Sequence, residues 1–190
     1  MRRNDGILGV DTGVCIMIKR QFGCGGNKLD GWENYDSEVD ITKPLPFPDN
    51  STDYIFAEHV VEHLDSREVF NFFSECYRIL KKGGVLRVCV PSITRVAAKA
   101  DNEYLYWLGS SGFGEATLNS AIRNLMVNHG HKTMWSEEIL SVALQGAGFD
   151  YRYVAIGSSP DRNLCNLEGH WRVIGDHANW VESIAGEGVK

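Results

Sequence analysis

The 190-residue chain carries 43% hydrophobic and 23% charged residues, an ordinary globular composition that fits a single domain over residues 1–190. A formal net charge of -6 argues against a nucleic-acid partner, which calls for a basic face, and no apolar run approaches the roughly 20 residues of a membrane span. The five cysteines (Cys15, Cys24, Cys76, Cys89 and Cys165) include no Cys-x-x-Cys pair, which sets aside zinc ribbons and disulfide frameworks and leads us to expect a reducing, cytoplasmic setting.

Residues 1–13 lack an apolar signal core. Val14 to Phe22 reads as a first strand entering the turn Gly23-Cys24-Gly25-Gly26. Trp32 to Tyr35 is a second extended piece ending at Asp36, and Pro44, Pro46 and Pro48 then force a rigid extended loop. Asn50-Ser51-Thr52 fits a glycosylation sequon but reads as a polar turn. Tyr54 to Ala57 is a short apolar strand.

Asp65 to Leu80 is the clearest helix. Val69, Phe73, Cys76 and Leu80 fall on one face, Asp65 with Glu68 forms a capping-box start, and Gly83-Gly84 is expected to stop it. Val85 to Val90 is then a strand closed by Pro91. Two weaker helical patterns follow, around Ile93 to Leu108 and Glu115 to Val127. Ser136 to Gly146 is a second clear helix, capped by Ser136, and Phe149 to Ile156 is another strand. A last extended segment is expected near Trp180 to Val189.

Strands alternating with helices indicate an α/β domain with a mainly parallel sheet. Ligands bind such sheets at the carboxyl ends of the strands, so function is sought after Phe22, Tyr35, Ala57 and Val90. A glycine turn there lets the backbone approach a ligand with free amides, although an ordinary tight turn looks the same. Asp36 can accept hydrogen bonds from two ribose hydroxyls. It follows Gly25 by only eleven positions, whereas a dinucleotide fold places that acid about 20 residues on. The site is therefore a variant, or Asp36 is a surface turn acid.

Three strings in order, FGCGGNKLDGWENYD, DITKPLPFPDNSTDYIFAEHVVEHL and RILKKGGVLRVCVPS, resemble the compact class I S-adenosylmethionine (SAM)-dependent methyltransferases of the methyltransferase-11 type. A weaker match continues at HGHKTMWSEEILSVALQGAGF. The resemblance implies a Rossmann-like fold, a mainly parallel central sheet flanked by helices, with a helical, substrate-facing insertion at 92–135 after the family's fifth strand. It implies SAM as cofactor, with S-adenosylhomocysteine as product. Phe22, Gly23, Cys24 and Gly25 would line the methionine end and Asp36 would hold the ribose. Asp40 and Ile41 would lie near the adenine, and Ala57, Glu58 and His59 would pass close to the sulfonium. Lys19-Arg20-Gln21 departs from the pattern, because a central strand should not carry Arg20 easily.

Methyl transfer is an in-line displacement that needs positioning and exclusion of water. For a hydroxyl acceptor a histidine is the natural base, His59 first and His131 second. The expected acceptor is a small molecule or glycan, and a homodimer is compatible with the sequence. Tyr104, Tyr106, Trp107, Phe113 and Trp135 could wall an acceptor site or form the core of two packed helices. His59-Val60-Val61-Glu62-His63 also fits the H-x-x-E-H zinc-peptidase pattern, with Glu137 or Glu138 as third ligand. Asp65 starts the next helix, so these residues span a loop instead, and no metal ligands are assigned. Other readings are a catalytically silent SAM-binding module and a nicotinamide-dependent oxidoreductase, the latter disfavoured by the short gap to Asp36.

Overall fold

The computed structural model describes residues 16–190. Val14 and Cys15 of the expected first strand lie outside them. Among the described residues one sheet contains β1 (Lys19–Phe22), β2 (Glu33–Tyr35), β3 (Thr52–Glu58), β4 (Leu80–Pro91), β5 (Asp150–Val154) and β6 (Ser183–Val189), ordered β2-β1-β3-β4-β6-β5. The β2-β1-β3-β4 block is parallel, and β6 runs antiparallel between β4 and β5. The Rossmann-like α/β fold is as expected. Pro44, Pro46 and Pro48 occupy the chain between β2 and β3, so the sheet has one strand fewer there than the resemblance implies, and the helical insertion follows the fourth strand in chain order.

Period-two alternation assigns each face of the sheet. Ile55, Ala57, Leu86, Val88 and Val90 point to one side, against Val69, Phe72, Phe73 and Cys76 of α1 (Ser66–Ile79) and Leu140 and Leu144 of α5 (Glu137–Gly146). Phe56, Val85 and Cys89 point to the other side, which is covered by Leu164 and Leu167 of a long connection. The capping box of α1 is complete: Asp65 Oδ1 accepts from the Arg67 and Glu68 amides, and Glu68 Oε2 accepts from the Asp65 amide. The helix ends at Ile79 rather than at Gly83-Gly84, because Leu80 already pairs with Thr52 in β4.

Two buried arginines lie in strands. Arg20 ion-pairs with Glu33 at 2.8 Å and lies over the Phe47 ring at 4.1 Å, which is how a four-residue central strand tolerates it. Arg87 is fully buried. It donates to Glu187, its register partner on β6, and to Glu168 and the carbonyl of Ser158, thereby fastening the covering connection to the sheet. A buried charge persists only when paired this completely.

The insertion folds into α2 (Ile93–Lys99), α3 (Asn102–Ser110) and α4 (Leu118–Val127). With α6 (Trp171–Ile174) and α7 (Asp176–Glu182) they enclose a second core of Val96, Tyr104, Leu108, Ala121, Leu125, Ile174 and Val181. Trp180 therefore belongs to α7, and the last strand begins only at Ser183. Among the described residues no helix is long and apolar enough to cross a membrane.

Candidate functional site

The chain turns at the end of β1. Gly23 has φ +65°, and a Cβ there would stand 2.2 Å from Val60 Cγ2, so both conformation and space demand glycine. The Cys24 amide donates to the Tyr35 carbonyl at 3.0 Å, which seats the turn beside Asp36. Burial first, and then the Asp36 charge, push the Cys24 thiol up. Above the turn is a cavity of about 340 Å³, lined by Gln21, Gly23, Cys24, Gly26, Asn27, Glu58 and His59. Gly169, His170, Arg172 and Val173 complete it from far along the chain. Gln21 is buried in this lining, and its Oε1 has no partner among the described residues. A buried acceptor or amide left open in this way suits a bound polar ligand.

Glu58, at the tip of β3, fastens the far segment in place. Its carboxylate accepts from the Gly169 amide at 2.8 Å and the His170 amide at 3.0 Å. Asn27 reaches the Leu167 carbonyl at 3.2 Å. Gly169 lies so close that a Cβ would meet Asn27 Cγ at 2.3 Å. Burial raises the Glu58 carboxyl against the lowering effect of these amides.

His59 stands where this cavity meets a second one of about 320 Å³. It has φ +51°, a strained value for a non-glycine residue. Its ring stacks on His170 with centroids 3.8 Å apart. Nε2 lies 3.0 Å from Ser183 Oγ, whose own proton goes to Asn179 Oδ1. Nδ1 lies 3.2 Å from Glu62 Oε1, an ion-pair approach without the alignment of a good hydrogen bond. Both nitrogens thus face acceptors, which favours the imidazolium. Burial pulls His59 down, but Glu62, Glu58 and Glu182 outweigh it and raise its pKa. His170 goes the other way, to about 3, through burial and then the positive charge of His59.

Five of the six histidines line the second cavity: His59, His63, His129, His131 and His170. Trp107 and Phe113 of the insertion form its aromatic side, 5.7 Å apart between ring centroids. Glu62 is fully buried in its wall, and Glu182, which accepts the Tyr104 hydroxyl at 2.7 Å, is also buried there. The expected aromatic wall therefore divides. Trp107 and Phe113 face the cavity, Tyr104 and Trp135 join the two cores, and Tyr106 is exposed.

The other residues expected to bind ligand fall in three groups. Gly23, Cys24, Glu58 and His59 line the first cavity, and His59 and His131 the second. Phe22 and Ala57 turn their side chains into the main core, Phe22 stacking on Tyr35 at 5.8 Å. Gly25, Asp36, Asp40 and Ile41 lie beside the turn or along the following loop, outside the lining, and Asp40 Oδ1 already holds the Thr42 amide and hydroxyl. The zinc-peptidase geometry is absent. Val61–His63 is a single 3-10 turn, so His59 and His63 share no helical face, and Glu137 and Glu138 line a separate pocket with Ser92. Gln21, Asn27, Gly169, His170 and Arg172 carry no local pattern that marks them, and the last three reach the site only through long-range packing.

The methyltransferase-domain family model matches residues 22–88. A stretch of 48 residues, 25% of this chain, is 44% identical to a Mycolicibacterium smegmatis protein named as a probable S-adenosylmethionine-dependent methyltransferase, and spans only 18% of that protein's length. The fold is similar to a SAM-dependent methyltransferase of Archaeoglobus fulgidus at TM-score 0.53 and 20% identity, covering 93% of this chain and 87% of that one. It is also similar to phosphoethanolamine N-methyltransferase 2 of Haemonchus contortus, crystallised with phosphomonomethylethanolamine and S-adenosylhomocysteine, at TM-score 0.52 and 13% identity, covering 92% and 49% of the two chains.

Proposed function

Because residues 22–88 belong to the methyltransferase-domain family, and the chain has the class I SAM-dependent methyltransferase fold, we propose that this protein transfers a methyl group from SAM to a small-molecule or glycan-type acceptor. The observation that carries this reading is the pair of cavities meeting at His59, one built on the glycine turn and the other on histidines and aromatic rings. The first fits the cofactor, since its lining combines main-chain amides at a glycine turn with the unpartnered Gln21 Oε1. When bound there, SAM supplies an electrophilic methyl group on a sulfonium.

The chain's own residues supply position and dryness. Gly23 and Cys24 present main chain to the methionine end, Asp36 holds the ribose, and Asp40 and Ile41 lie on the adenine side. The segment strapped by Glu58 covers the cofactor and excludes water. Trp107 and Phe113 receive the apolar face of the acceptor. Once it has lost the proton that its carboxylate neighbours favour, His59 takes the proton of a hydroxyl acceptor, with His131 as the alternate base.

Calorimetric titration tests the cofactor half of this reading. S-adenosylhomocysteine should bind in the micromolar range, about -8 kcal/mol, and NAD should not bind. Asp36→Ala should weaken it by roughly tenfold to a hundredfold through loss of charge-assisted ribose bonds. An unchanged affinity would place the ribose elsewhere. Transfer from labelled SAM into a metabolite extract separates a catalyst from a silent binding module. Full turnover by His59→Ala would remove His59 as base.

A further inference from the structure

The floor of the second cavity holds a group of side chains of which the proposed reaction uses only His131, as its alternate base. Glu62, His63 and His131 each offer one ligand atom, and these atoms lie within 4.8 Å of one another. Glu62 is fully buried, yet among the described residues neither carboxylate oxygen has a hydrogen-bond partner; His59 Nδ1 approaches it at 3.2 Å. Leaving a carboxylate unsatisfied in a protein wall is costly unless a cation or donor completes it. His131 is oriented to help. Its Nδ1 lies 2.7 Å from the Leu125 carbonyl, which can only accept, so the proton sits on Nδ1 and Nε2 keeps a lone pair.

Main-chain bonds fix the spacing of the group. The Lys132 and Thr133 amides both donate to the Glu62 carbonyl, at 2.7 and 3.1 Å. The segment bearing His131 is thereby laced to the 3-10 turn bearing Glu62 and His63. The ligand positions are set before any ion arrives, as a specific site requires.

We infer that Glu62, His63 and His131 form a binding site for one divalent transition-metal cation at the floor of the second cavity. Two imidazoles and one carboxylate suit a first-row transition metal better than magnesium or calcium, which take oxygen donors. Three protein ligands beside an open cavity leave coordination positions free, the pattern of catalytic rather than structural sites. Those positions face the space given to the acceptor, so the ion would hold an acceptor through an oxygen atom; this last step rests on the methyltransferase reading. His131 is then a ligand, and proton transfer falls to His59.

Cobalt(II) is the probe, because its visible spectrum reports nitrogen and oxygen coordination. Untagged protein is freed of metal by a chelator and dialysed. It is then titrated with cobalt(II) by absorption and calorimetry, and with S-adenosylhomocysteine in parallel. We expect one equivalent of cobalt(II) bound at micromolar or tighter affinity. His63→Ala and His131→Ala should each lose more than the roughly 10–100-fold that removing a ligand's own hydrogen-bond partner costs, and His177→Ala should bind normally. These rings are exposed or half-exposed, so both variants should fold, which an unchanged melting temperature confirms. No cobalt(II) binding by the parent protein, equal binding by both variants, or binding of magnesium alone would overturn the site. Binding of S-adenosylhomocysteine without cobalt(II) removes the metal and keeps the methyltransferase. Binding of cobalt(II) without S-adenosylhomocysteine does the reverse.

Discussion

The two cavities that share His59 are built by opposite means. The first rests on main chain: a turn of four consecutive residues whose glycines let the backbone fold back beneath Val60 and beside Asp36. The second is made of side chains from separated segments: the turn after β3, the end of β4, the insertion with its loop at His129 to His131, α6 with its approach, and the end of α7. A main-chain site tolerates many side chains but few backbone changes. A side-chain site depends on individual residues, and its scaffold accepts variation. This contrast suits an enzyme that keeps one donor and selects its own acceptor.

The largest effect should come from backbone. Gly23→Ala incurs both the left-handed conformation and the contact with Val60, together about 2–5 kcal/mol of stability. Gly25→Ala, with φ +46° and nothing within 4 Å of its Cβ, should lose only about 1 kcal/mol. Denaturant unfolding of both variants measures the difference. Adding Val60→Ala to Gly23→Ala should recover the contact part and leave the conformational part. Equal losses in the two single variants would break the claim that this turn is held against Val60.

The same contrast explains what the sequence could reveal. The glycine turn, the acid after β2, the capping box at Asp65 and the alternation of β4 are local patterns, and each occurs where its residues predict. The histidine cavity has no local pattern. His59 and His63 have the spacing of a helical motif but are expected to span a loop, and a left-handed His59 and a 3-10 turn divide them. His170 lies 111 residues from His59 and meets it only because Glu58 captures the Gly169 and His170 amides. Arg20 and Arg87 contradict simple burial rules, and their compensation lies in Glu33, Glu168 and Glu187 on other elements. Partners at that range are set by topology, and a single sequence does not display topology at the level of side chains.

The stacked histidines should give the next effect, through pH. His170 titrates at about 3 in the folded protein, below the ordinary value of 6.5. Between these values the unfolded chain binds a proton that the folded chain refuses. Stability is therefore fully present above about 6.5 and falls as the pH drops towards 3, by at most about 1.4 kcal/mol per pH unit for one proton. His59 is raised, so its contribution is full below the ordinary value and lost as pH rises through its folded pKa. His170→Gln should flatten the acid-side slope in urea unfolding from pH 4 to 7. An unchanged slope would mean that the ring opens to water when His59 is charged.

The smallest effect sharpens the comparison from the cofactor side. Arg172 is a cationic side chain in the lining of the first cavity, exposed and donating to Asn27 Oδ1 at 2.6 Å. An exposed ion pair with the ligand's carboxylate would contribute little, so Arg172→Ala should weaken S-adenosylhomocysteine by only about threefold. The loss should be confined to ligands with an amino-acid carboxylate, leaving 5′-methylthioadenosine unaffected. If both ligands weaken alike, Arg172 acts by holding Asn27 and the covering segment, and its effect is on closure. If neither weakens, the main chain and Gln21 hold the methionine end without it, and the first cavity is even more a backbone site than its lining suggests.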